Sequence, residues 1–185
     1  AALPAEEAKV DGLVKIGAPF KITGSPEMDR VGQVVHGAIA LEMIHPNHLD
    51  AVVAARRLID NFGLAAHISP DDAATCAKVF RRQIVEKFQP EATWVEHPVE
   101  HLRENGQAVR GWIDLLLKTA EGWVIVDHKA HRGKDRELRK EAMKYSGQLL
   151  AYKETVEAAT EEKVLGCWIH FPLAGVMCRL GFDLD

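Results

Sequence analysis

The stretch that decides the fold runs from Gly111 to Lys129 and reads GWIDLLLKTAEGWVIVDHK. Its two apolar halves, residues 111–118 and 123–128, are separated by Thr-Ala-Glu-Gly, a short segment whose glycine suits a turn that requires positive φ. We therefore predict a β-hairpin. Because both halves are almost continuously apolar, we expect strands that are buried on both faces of a sheet.

Each arm of the predicted hairpin carries one aspartate, Asp114 in the first arm and Asp127 in the second, and Lys129 follows closely. If residues 120 and 121 form the turn, counting outward places Asp114 opposite Asp127. Like charges directly opposite each other are destabilising, so the pair needs a counter-charge: a proton, Lys129 or a metal ion. A bulge at Gly122 would shift the register by one residue and separate the two carboxylates.

The residue types in this arrangement indicate a particular chemistry. Carboxylate ligands suit Mg²⁺ or Mn²⁺, and Mn²⁺ also accepts histidine. A metal ion held there lowers the pKa of bound water and neutralises charge on a phosphoryl group. The adjacent lysine can stabilise a transition state as a point charge. The plainer alternative is a surface ion pair between Asp127 and Lys129 with Asp114 solvated, but the apolar surroundings of both aspartates favour the site.

Composition limits the class of protein. The chain has 185 residues, of which 47% are hydrophobic and 27% charged, as in one globular domain with a full core. No apolar run approaches the roughly 20 residues that span a bilayer, and we predict no signal peptide. Three widely spaced cysteines indicate reduced thiols and a cytoplasmic location. A net charge of −4 does not favour non-specific nucleic-acid binding, so any nucleic-acid partner would have to meet a local basic patch.

Capping signals and hydrophobic periodicity predict the remaining elements. Residues 1–28 lack a clear period and are predicted to be an extended arm or linker before a domain of residues 29–185. Helices are expected at about 29–45, 49–62 and 69–88, the last with Ser69 as N-cap. Strands are expected at 93–102, 107–118 and 123–128, followed by one helix over about 137–159 and strands at 164–171 and 176–183. This order predicts an α+β or mixed α/β fold.

Two further polar residues are candidates for the same site. His36 lies within the first helix between Gly32 and Gly37, where a core histidine and a metal ligand are both open interpretations. Glu96 lies on the strand before the hairpin, which Pro98 marks as an edge strand or a bulge. For Glu96, a solvent-facing carboxylate and a role at or beside a metal are equally compatible with the sequence.

A basic segment follows the hairpin and leads into the long predicted helix. Its members are Lys129, Arg132, Lys134, Arg136, Arg139 and Lys140. Such a run is usually a solvated surface, but its position directly after the two aspartates also suits contact with phosphate groups. On the helix itself, Gln148 lies at the rim of an apolar stripe that contains Tyr152.

Taken in order, these motifs resemble the PD-(D/E)XK nuclease superfamily, in particular the nuclease domains of RecB and AddA helicase–nucleases. The similarity rests on Gly-Trp-Ile-Asp at 111–114, Asp-His-Lys-Ala at 127–130 and Tyr-x-x-Gln-Leu-x-x-Tyr at 145–152. Upstream, the Gly-x-x-x-His of residues 32–36 and the Glu-His-Pro of residues 96–98 are also similar to that group. Histidine at 128 and alanine at 130 replace the tyrosine and threonine that are common there.

The resemblance implies a restriction-endonuclease-like αβββαβ core, with extra N-terminal helices, that cleaves DNA with Mg²⁺ or Mn²⁺. It implies that the catalytic residues are Asp114, Asp127 and Lys129. It implies that the metal ligands are His36, Asp114, Asp127 and the backbone carbonyl of His128. It implies that Gln148 and Tyr152 line the site or contact DNA. From their positions in the sequence, Arg132 and Lys134 are further candidates for DNA contact, and Glu96 is a candidate for supporting the ligands.

The function expected from this resemblance is an exodeoxyribonuclease, as the C-terminal nuclease domain of a RecB/AddA-like helicase–exonuclease in double-strand-break repair. Its partners would be DNA and a helicase region of the same polypeptide or complex, and no membrane is involved. The alternatives are a catalytically silent DNA-binding module of the same fold, and a stand-alone nuclease or resolvase. The intact set of two aspartates and a lysine favours an enzyme.

Overall fold

The computed structural model describes residues 8–46, 50–102, 106 and 108–182. Its strands are β1 (Ala8–Lys15), β2 (Ala92–Leu102), β3 (Ala108–Thr119), β4 (Gly122–His128), β5 (Val164–Phe171) and β6 (Val176–Phe182). Its helices are α1 (Met28–Ile44), α2 (Ala51–Asn61), α3 (Pro70–Phe88), α4 (Asp135–Met143) and α5 (Ser146–Thr160). None of the helices in these described ranges is long and apolar enough to cross a membrane.

The six strands form one sheet in the order β1-β6-β5-β4-β3-β2, covered by helices on both faces. β4 and β5 are parallel, whereas the other neighbouring strands are antiparallel. On one face, α1, α2 and α3 share a buried cluster with Leu115 and Leu117 (the α1 side). On the other face, α4 and α5 share a second cluster with Ile113 and Leu116 (the α5 side). The predicted α+β class is confirmed, and β2 is an edge strand as Pro98 indicated.

β3 and β4 form the predicted hairpin in the predicted register. Thr119 pairs with Gly122, and the ladder continues without a shift to Leu115 opposite Val126. Gly122 has φ +152°, and a Cβ atom at this position would collide with the carbonyl oxygen of Lys163. Glycine is therefore required at the turn for two reasons: the backbone conformation, and the close approach of the chain just before β5.

The αβββαβ order expected for the core is present as α1–α3, β2, β3, β4, α4–α5 and β5. α3 begins as predicted, because Ser69 Oγ accepts a hydrogen bond from the backbone N–H of Asp72 at 3.4 Å and Pro70 occupies the first turn. Of the Asn-Gly turn predicted between β2 and β3, only Gly106, with φ +80°, belongs to the described residues.

The segment predicted to be an extended arm contains a strand of the sheet. β1 pairs antiparallel with β6, and its register shifts between Val10 and Gly12. The residues of β1 are exposed or only partly buried, and a glycine interrupts them, so no clean two-residue period identifies a strand. The edge of β6, which is distant along the chain, provides the hydrogen-bonding partner that the local sequence does not reveal.

The single helix predicted over about 137–159 is in fact two helices, so that prediction was wrong. α4 ends at Met143 and α5 begins at Ser146. At the break, Tyr145 has φ −100° and ψ 0°, and Ser146 Oγ donates to the carbonyl oxygen of Met143 at 2.7 Å. A serine that bonds to the backbone competes with helical hydrogen bonding, and Gly147 weakens helix propensity further.

Candidate active site

The two hairpin arms bring their aspartates together where the β3–β4 ladder ends. The last backbone pair is Leu115 with Val126, so the next step of the same register sets Asp114 opposite Asp127. At this step the Asp114 side chain replaces a backbone acceptor, because its Oδ2 accepts a hydrogen bond from the N–H of His128 at 2.7 Å. Asp114 is therefore anchored to the neighbouring strand by a charge-assisted hydrogen bond.

Asp127 is deeply buried, with 2% of its surface exposed. Lys129 Nζ lies 2.6 Å from its Oδ2 and forms an ion pair with it. Burial, and then the Asp114 carboxylate, raise the pKa of Asp127 to about 6, although the Lys129 ammonium opposes the rise. The site thus contains a buried anion that a proton or a further cation would stabilise.

Lys129 is held by contacts from three elements of the fold. Its backbone N–H donates to the carbonyl oxygen of His170 on β5 at 2.9 Å, and its ammonium lies 4.7 Å from the ring centroid of Tyr145. Burial acts to lower the pKa of Lys129, but the carboxylates of Asp127 and Asp114 outweigh it and raise the pKa. Lys129 is therefore a fixed positive charge at neutral pH.

His36 approaches the aspartates from α1. Its Nε2 lies 2.9 Å from the carbonyl oxygen of His128, and its Nδ1 lies 3.8 Å from Asp114 Oδ2. A carbonyl oxygen only accepts, so Nε2 carries the proton in this contact, and in the neutral ring Nδ1 has the free lone pair. The structure thus places the predicted histidine beside the carboxylates, with an available nitrogen on the side of Asp114.

The His128 side chain points away from the aspartates into a buried cluster on the α1 side. Its Nδ1 lies 3.0 Å from Nδ1 of His170, and the Phe80 ring stacks on His170 with centroids 4.3 Å apart. Burial, and then the neighbouring imidazoles, lower the pKa of both histidines well below the ordinary value. His128 therefore contributes only backbone atoms to the site: its N–H donates to Asp114, and its carbonyl oxygen accepts from His36.

Sequence reasoning missed His170 and Phe80 as residues that support the site. His170 is adjacent to His128 because β5 is parallel to β4 in a register that pairs these two residues. That register depends on the crossover through α4 and α5 and has no local sequence signal. Tyr145 belongs to the motif on α5, but the motif alone does not indicate that its ring contacts the Lys129 ammonium.

Gln148 and Tyr152 connect α5 to the hairpin rather than facing open solvent. Gln148 Nε2 donates to the Tyr152 hydroxyl at 2.9 Å, and Tyr152 is buried. A Cβ atom added at Gly111 would collide with the Tyr152 hydroxyl and ring. Glycine at 111 thus lets the tyrosine lie directly on the β3 backbone, three residues before Asp114.

Glu96 lies next to His36 and Asp114, and the three residues line the same small cavity. Its φ is +48°, in the left-handed region that is unusual for a residue other than glycine. In the β2–β3 ladder, Val95 pairs with Leu115 and His97 pairs with Ile113. Glu96 and Asp114 are therefore opposite each other, between these two pairs. Such local strain occurs preferentially at functional sites.

Arg132 and Lys134 lie on the exposed loop that follows the aspartates and the lysine. An Nη2 atom of Arg132 donates to the carbonyl oxygen of Ile22 at 3.3 Å. The backbone N–H of Lys134 donates to Glu137 Oε2 at 2.7 Å, at the start of α4. Both cationic side chains therefore lie on the surface, a few residues beyond Lys129, where they are accessible to a polyanion.

The candidate ligands are of the chemical types that a hard divalent cation binds, but their side chains do not converge on one point. Among the described residues, no group of three or more His, Cys, Asp or Glu is arranged to hold a metal ion as it stands. Asp127 is nevertheless buried with a raised pKa, and the Asp114 carboxylate and the His36 imidazole lie close to it. These oxygen and imidazole groups are ligands that Mg²⁺ and Mn²⁺ accept.

Comparison with known proteins identifies the class to which this fold and site belong. The profile of the PD-(D/E)XK nuclease superfamily matches residues 10–180. The chain belongs to this superfamily. The six-stranded mixed sheet with helices on both faces is consistent with the restriction-endonuclease-like fold expected from the resemblance.

A second similarity, to one particular protein, covers a shorter part of the chain. Over 63 residues, the chain is 40% identical to an ATP-dependent helicase/nuclease subunit of Carboxydothermus hydrogenoformans. The match covers 34% of this chain and 5% of that protein. The chain therefore corresponds to only a small part of the relative, whose name combines a helicase and a nuclease.

Proposed function

We propose that this chain is a Mg²⁺- or Mn²⁺-dependent deoxyribonuclease that hydrolyses phosphodiester bonds at the open end of the β3–β4 hairpin. One observation carries the proposal: at the open end of the hairpin the buried Asp127 carboxylate lies beside Asp114 and 2.6 Å from the Lys129 ammonium. A buried carboxylate next to a second, partly exposed carboxylate is stabilised further by an added cation. Membership of the nuclease superfamily supports phosphodiester hydrolysis as the reaction.

The proposed roles follow from the contacts of each residue. Asp114, Asp127 and His36 would hold the metal ion, which when bound supplies an activated water and charge neutralisation at the phosphoryl group. The hydrogen bond from the His128 N–H already orients Asp114, whereas the other ligands would have to converge on it. The His128 carbonyl oxygen is engaged by His36 Nε2 and would join the ligands only after that hydrogen bond is released.

Lys129 would act on the substrate as a point charge. Its raised pKa keeps it protonated, and its contacts with Tyr145 and Asp127 fix the position of the ammonium. A fixed cation beside a transferring phosphoryl group stabilises negative charge that develops in the transition state. Glu96 would support the ligands from β2, and Arg132 and Lys134 would contact the DNA backbone.

The biological assignment is also a proposal. We infer exonuclease action of the RecB/AddA type, in double-strand-break repair and recombination, with a helicase region of the same polypeptide or complex as partner. The support is the sequence pattern, together with the similarity to a relative whose name includes both helicase and nuclease. The competing function is a catalytically silent DNA-binding module of the same fold, and cleavage assays separate the two.

The decisive assay uses end-labelled single- and double-stranded DNA with Mg²⁺, Mn²⁺ or EDTA. Wild type should cleave with either metal and not with EDTA, and Asp127→Ala should abolish cleavage. Asp60→Ala removes an exposed aspartate of α2 and should cleave like wild type. Wild-type rates from a folded Asp127→Ala protein would refute the proposed site, and DNA binding without cleavage by wild type would favour the silent module.

A second measurement tests the metal without relying on activity. Mn²⁺ at millimolar concentration should raise the melting temperature, because a ligand that binds only the folded state stabilises it by mass action. For a protein of this size, each 1 kcal/mol corresponds to about 2–4 °C. Asp114→Asn should reduce the rise, because it removes a charged ligand. Unchanged melting curves for wild type with Mn²⁺ would contradict the metal site.

A further inference from the structure

The largest aromatic side chain exposed beside the candidate site is Trp112, with 62% of its surface accessible. It lies two residues before Asp114 on β3, a separation of about 6.5 Å along a strand. Core packing does not require a tryptophan here, because so much of the ring lies in solvent. An exposed tryptophan next to a proposed phosphodiester site offers an aromatic face to a substrate.

The side chain of Trp112 lies on the side of the sheet from which His36 approaches Asp114, whereas Asp127 and Lys129, which flank the α1-side His128 side chain, lie towards the α5 side. Its neighbour Ile113 packs into the cluster on the α5 side, and the backbone of Gly111 is covered by Tyr152 of α5. Since successive residues of a strand point to opposite faces, Trp112 faces the α1 side. Asp114 approaches His36 of α1 at a step where the regular alternation of β3 is broken, since Ile113 and Leu115 belong to clusters on opposite faces.

α1 packs against this side of β3 on the turn side of the site. Met43 and Ile39 of α1 line a cavity with Val95 and Leu115, which lie on the turn side of the Asp114 step. Beyond that step the cross-strand neighbour of Trp112 is Pro98, which is itself exposed. Trp112 and Pro98 therefore form an exposed apolar surface next to the Asp114 end of the site.

We propose that Trp112 is a positioning residue that stacks on a nucleobase of single-stranded DNA and so places a neighbouring phosphate at the site. The inference rests on the proposed function, in that the strand bound is the strand to be cleaved. A base within an intact duplex is already stacked on both faces, so an aromatic platform selects unpaired nucleotides. Base–aromatic stacking is tolerant of sequence, because every base has a π-face.

Stacking and phosphate contact can be distinguished at this position. The nearest cation along the strand, Arg110, is bound to Glu100 by both Nε and Nη2, at 2.8 and 2.7 Å. Trp112 itself carries no charge, so its removal should weaken binding without changing how binding depends on salt. An ordinary structural role of Trp112 would not produce this combination of results.

The experiment measures binding in EDTA, so that no strand is cut, using a short oligothymidine that carries one 2-aminopurine. Trp112→Ala should reduce single-strand affinity by about tenfold, abolish quenching of the 2-aminopurine fluorescence, and leave the slope of log affinity against log salt unchanged. Trp112→Phe should restore most of the affinity and the quenching. The matched control is Trp94→Ala, which removes a tryptophan, 37% exposed, that packs against Trp123.

Trp94 is paired with Leu116, whose side chain belongs to the α5-side cluster, so its removal should leave quenching unchanged. The proposal is overturned if Trp112→Ala binds like wild type, if it loses affinity equally for blunt duplex and single strand, or if wild type binds no DNA. Cleavage with Mn²⁺ is scored separately. Stacking without cleavage refutes the nuclease alone, and cleavage with unchanged binding by Trp112→Ala refutes the platform alone.

Discussion

The two ends of the β3–β4 hairpin differ in how their polar groups are satisfied. At the turn, Thr119 Oγ1 donates to the Gly122 carbonyl oxygen at 3.0 Å and accepts from the Glu121 N–H at 3.3 Å. Glu162 there accepts from the Trp123 indole at 2.6 Å. At the open end, the buried carboxylate of Asp127 faces a second aspartate, and its pKa is raised to about 6 by burial and by that aspartate in spite of the Lys129 ammonium at 2.6 Å.

This difference separates the parts of the hairpin that stabilise the fold from the part that carries the proposed chemistry. Satisfied polar groups contribute modestly to stability, whereas an unsatisfied buried anion reduces it. A protein retains such an anion where function requires it, because strain and unpaired charge are tolerated at sites that a ligand completes. The comparison therefore predicts that substitutions at the two ends have opposite effects on stability in the absence of metal.

The largest expected effect distinguishes two lysines of the hairpin region. Lys129 and Lys118 have side chains of nearly equal exposure, 23% and 22%, and each is paired with a carboxylate. Lys129→Ala should lower metal-dependent cleavage by about 10²–10³-fold, because it removes a fixed charge at the reacting group. Lys118→Ala should leave the rate constant of cleavage unchanged, since Lys118 binds Glu162 at the turn.

The measurement is cleavage of single-stranded DNA under saturating metal, with circular dichroism to show that both variants are folded. Equal losses of activity in the two lysine variants would show that the assay reports folding rather than the site. That result would remove the functional distinction between the two ends of the hairpin.

How much of this comparison could be read from the sequence depends on which contacts are local. The hairpin register could be predicted, because Gly122 and two apolar runs of matched length determine it, and with it the opposition of Asp114 and Asp127. The turn could also be predicted, because its contacts join residues that are close together along the chain. The position of His36 was suggested only by the resemblance, since no local pattern in α1 indicates that it reaches β3.

The contacts that could not be predicted are those made by elements distant along the chain. β1 becomes a strand only against β6, and His170 reaches His128 only through the parallel β4–β5 register. The break between α4 and α5 has a partial local signal in Ser146 and Gly147, but a continuous apolar stripe masks it. Burial decides the pKa of Asp127, and burial requires both helical layers.

The second effect concerns stability and its dependence on pH. Because the folded pKa of Asp127 is about 6 against an ordinary value of 3.8, the folded state retains a proton that the unfolded state has lost between these values. Wild-type stability therefore falls as pH rises through this window. In metal-free protein, Asp127→Asn should be more stable than wild type above pH 6, by up to about 3 kcal/mol for a shift of about two units.

The quantity to measure is the difference in unfolding free energy between Asp127→Asn and wild type in EDTA, from urea titrations at several pH values. The subtraction cancels groups that titrate in both proteins. The difference should grow between about pH 4 and pH 6 and then level off. A difference that shrinks with rising pH would mean that Lys129 outweighs burial and that the anion is satisfied.

A smaller effect is expected where α5 rests on the open end. Gly111→Ala would drive a Cβ atom into the Tyr152 ring, and overpacking of this kind costs about 1–3 kcal/mol. Gly12→Ala, in β1, is the matched control because nothing lies within 4 Å of a Cβ atom built there. Thermal denaturation of both variants tests this, and a Gly111→Ala protein as stable as the Gly12→Ala protein would show that Tyr152 moves freely.

The smallest effect is expected at the turn, and it completes the comparison. Thr119 is 8% exposed, and its hydroxyl serves both the Gly122 carbonyl and the Glu121 N–H. Thr119→Val keeps the β-branched shape but removes both hydrogen bonds, so we expect a loss of about 1–2 kcal/mol of unfolding free energy. Cleavage per folded molecule should not change, because the turn lies at the far end of both strands from Asp114 and Asp127.

The Thr119→Val result has meaning only beside that of Asp127→Asn. If the two ends differ as proposed, the turn variant is less stable and fully active, and the aspartate variant is more stable without metal and inactive. Urea denaturation measures the stability of each variant, and single-strand cleavage on the same preparations measures its activity. A Thr119→Val protein that loses activity in proportion to stability would mean that the strands transmit turn disorder to the site, and that the hairpin acts as one unit.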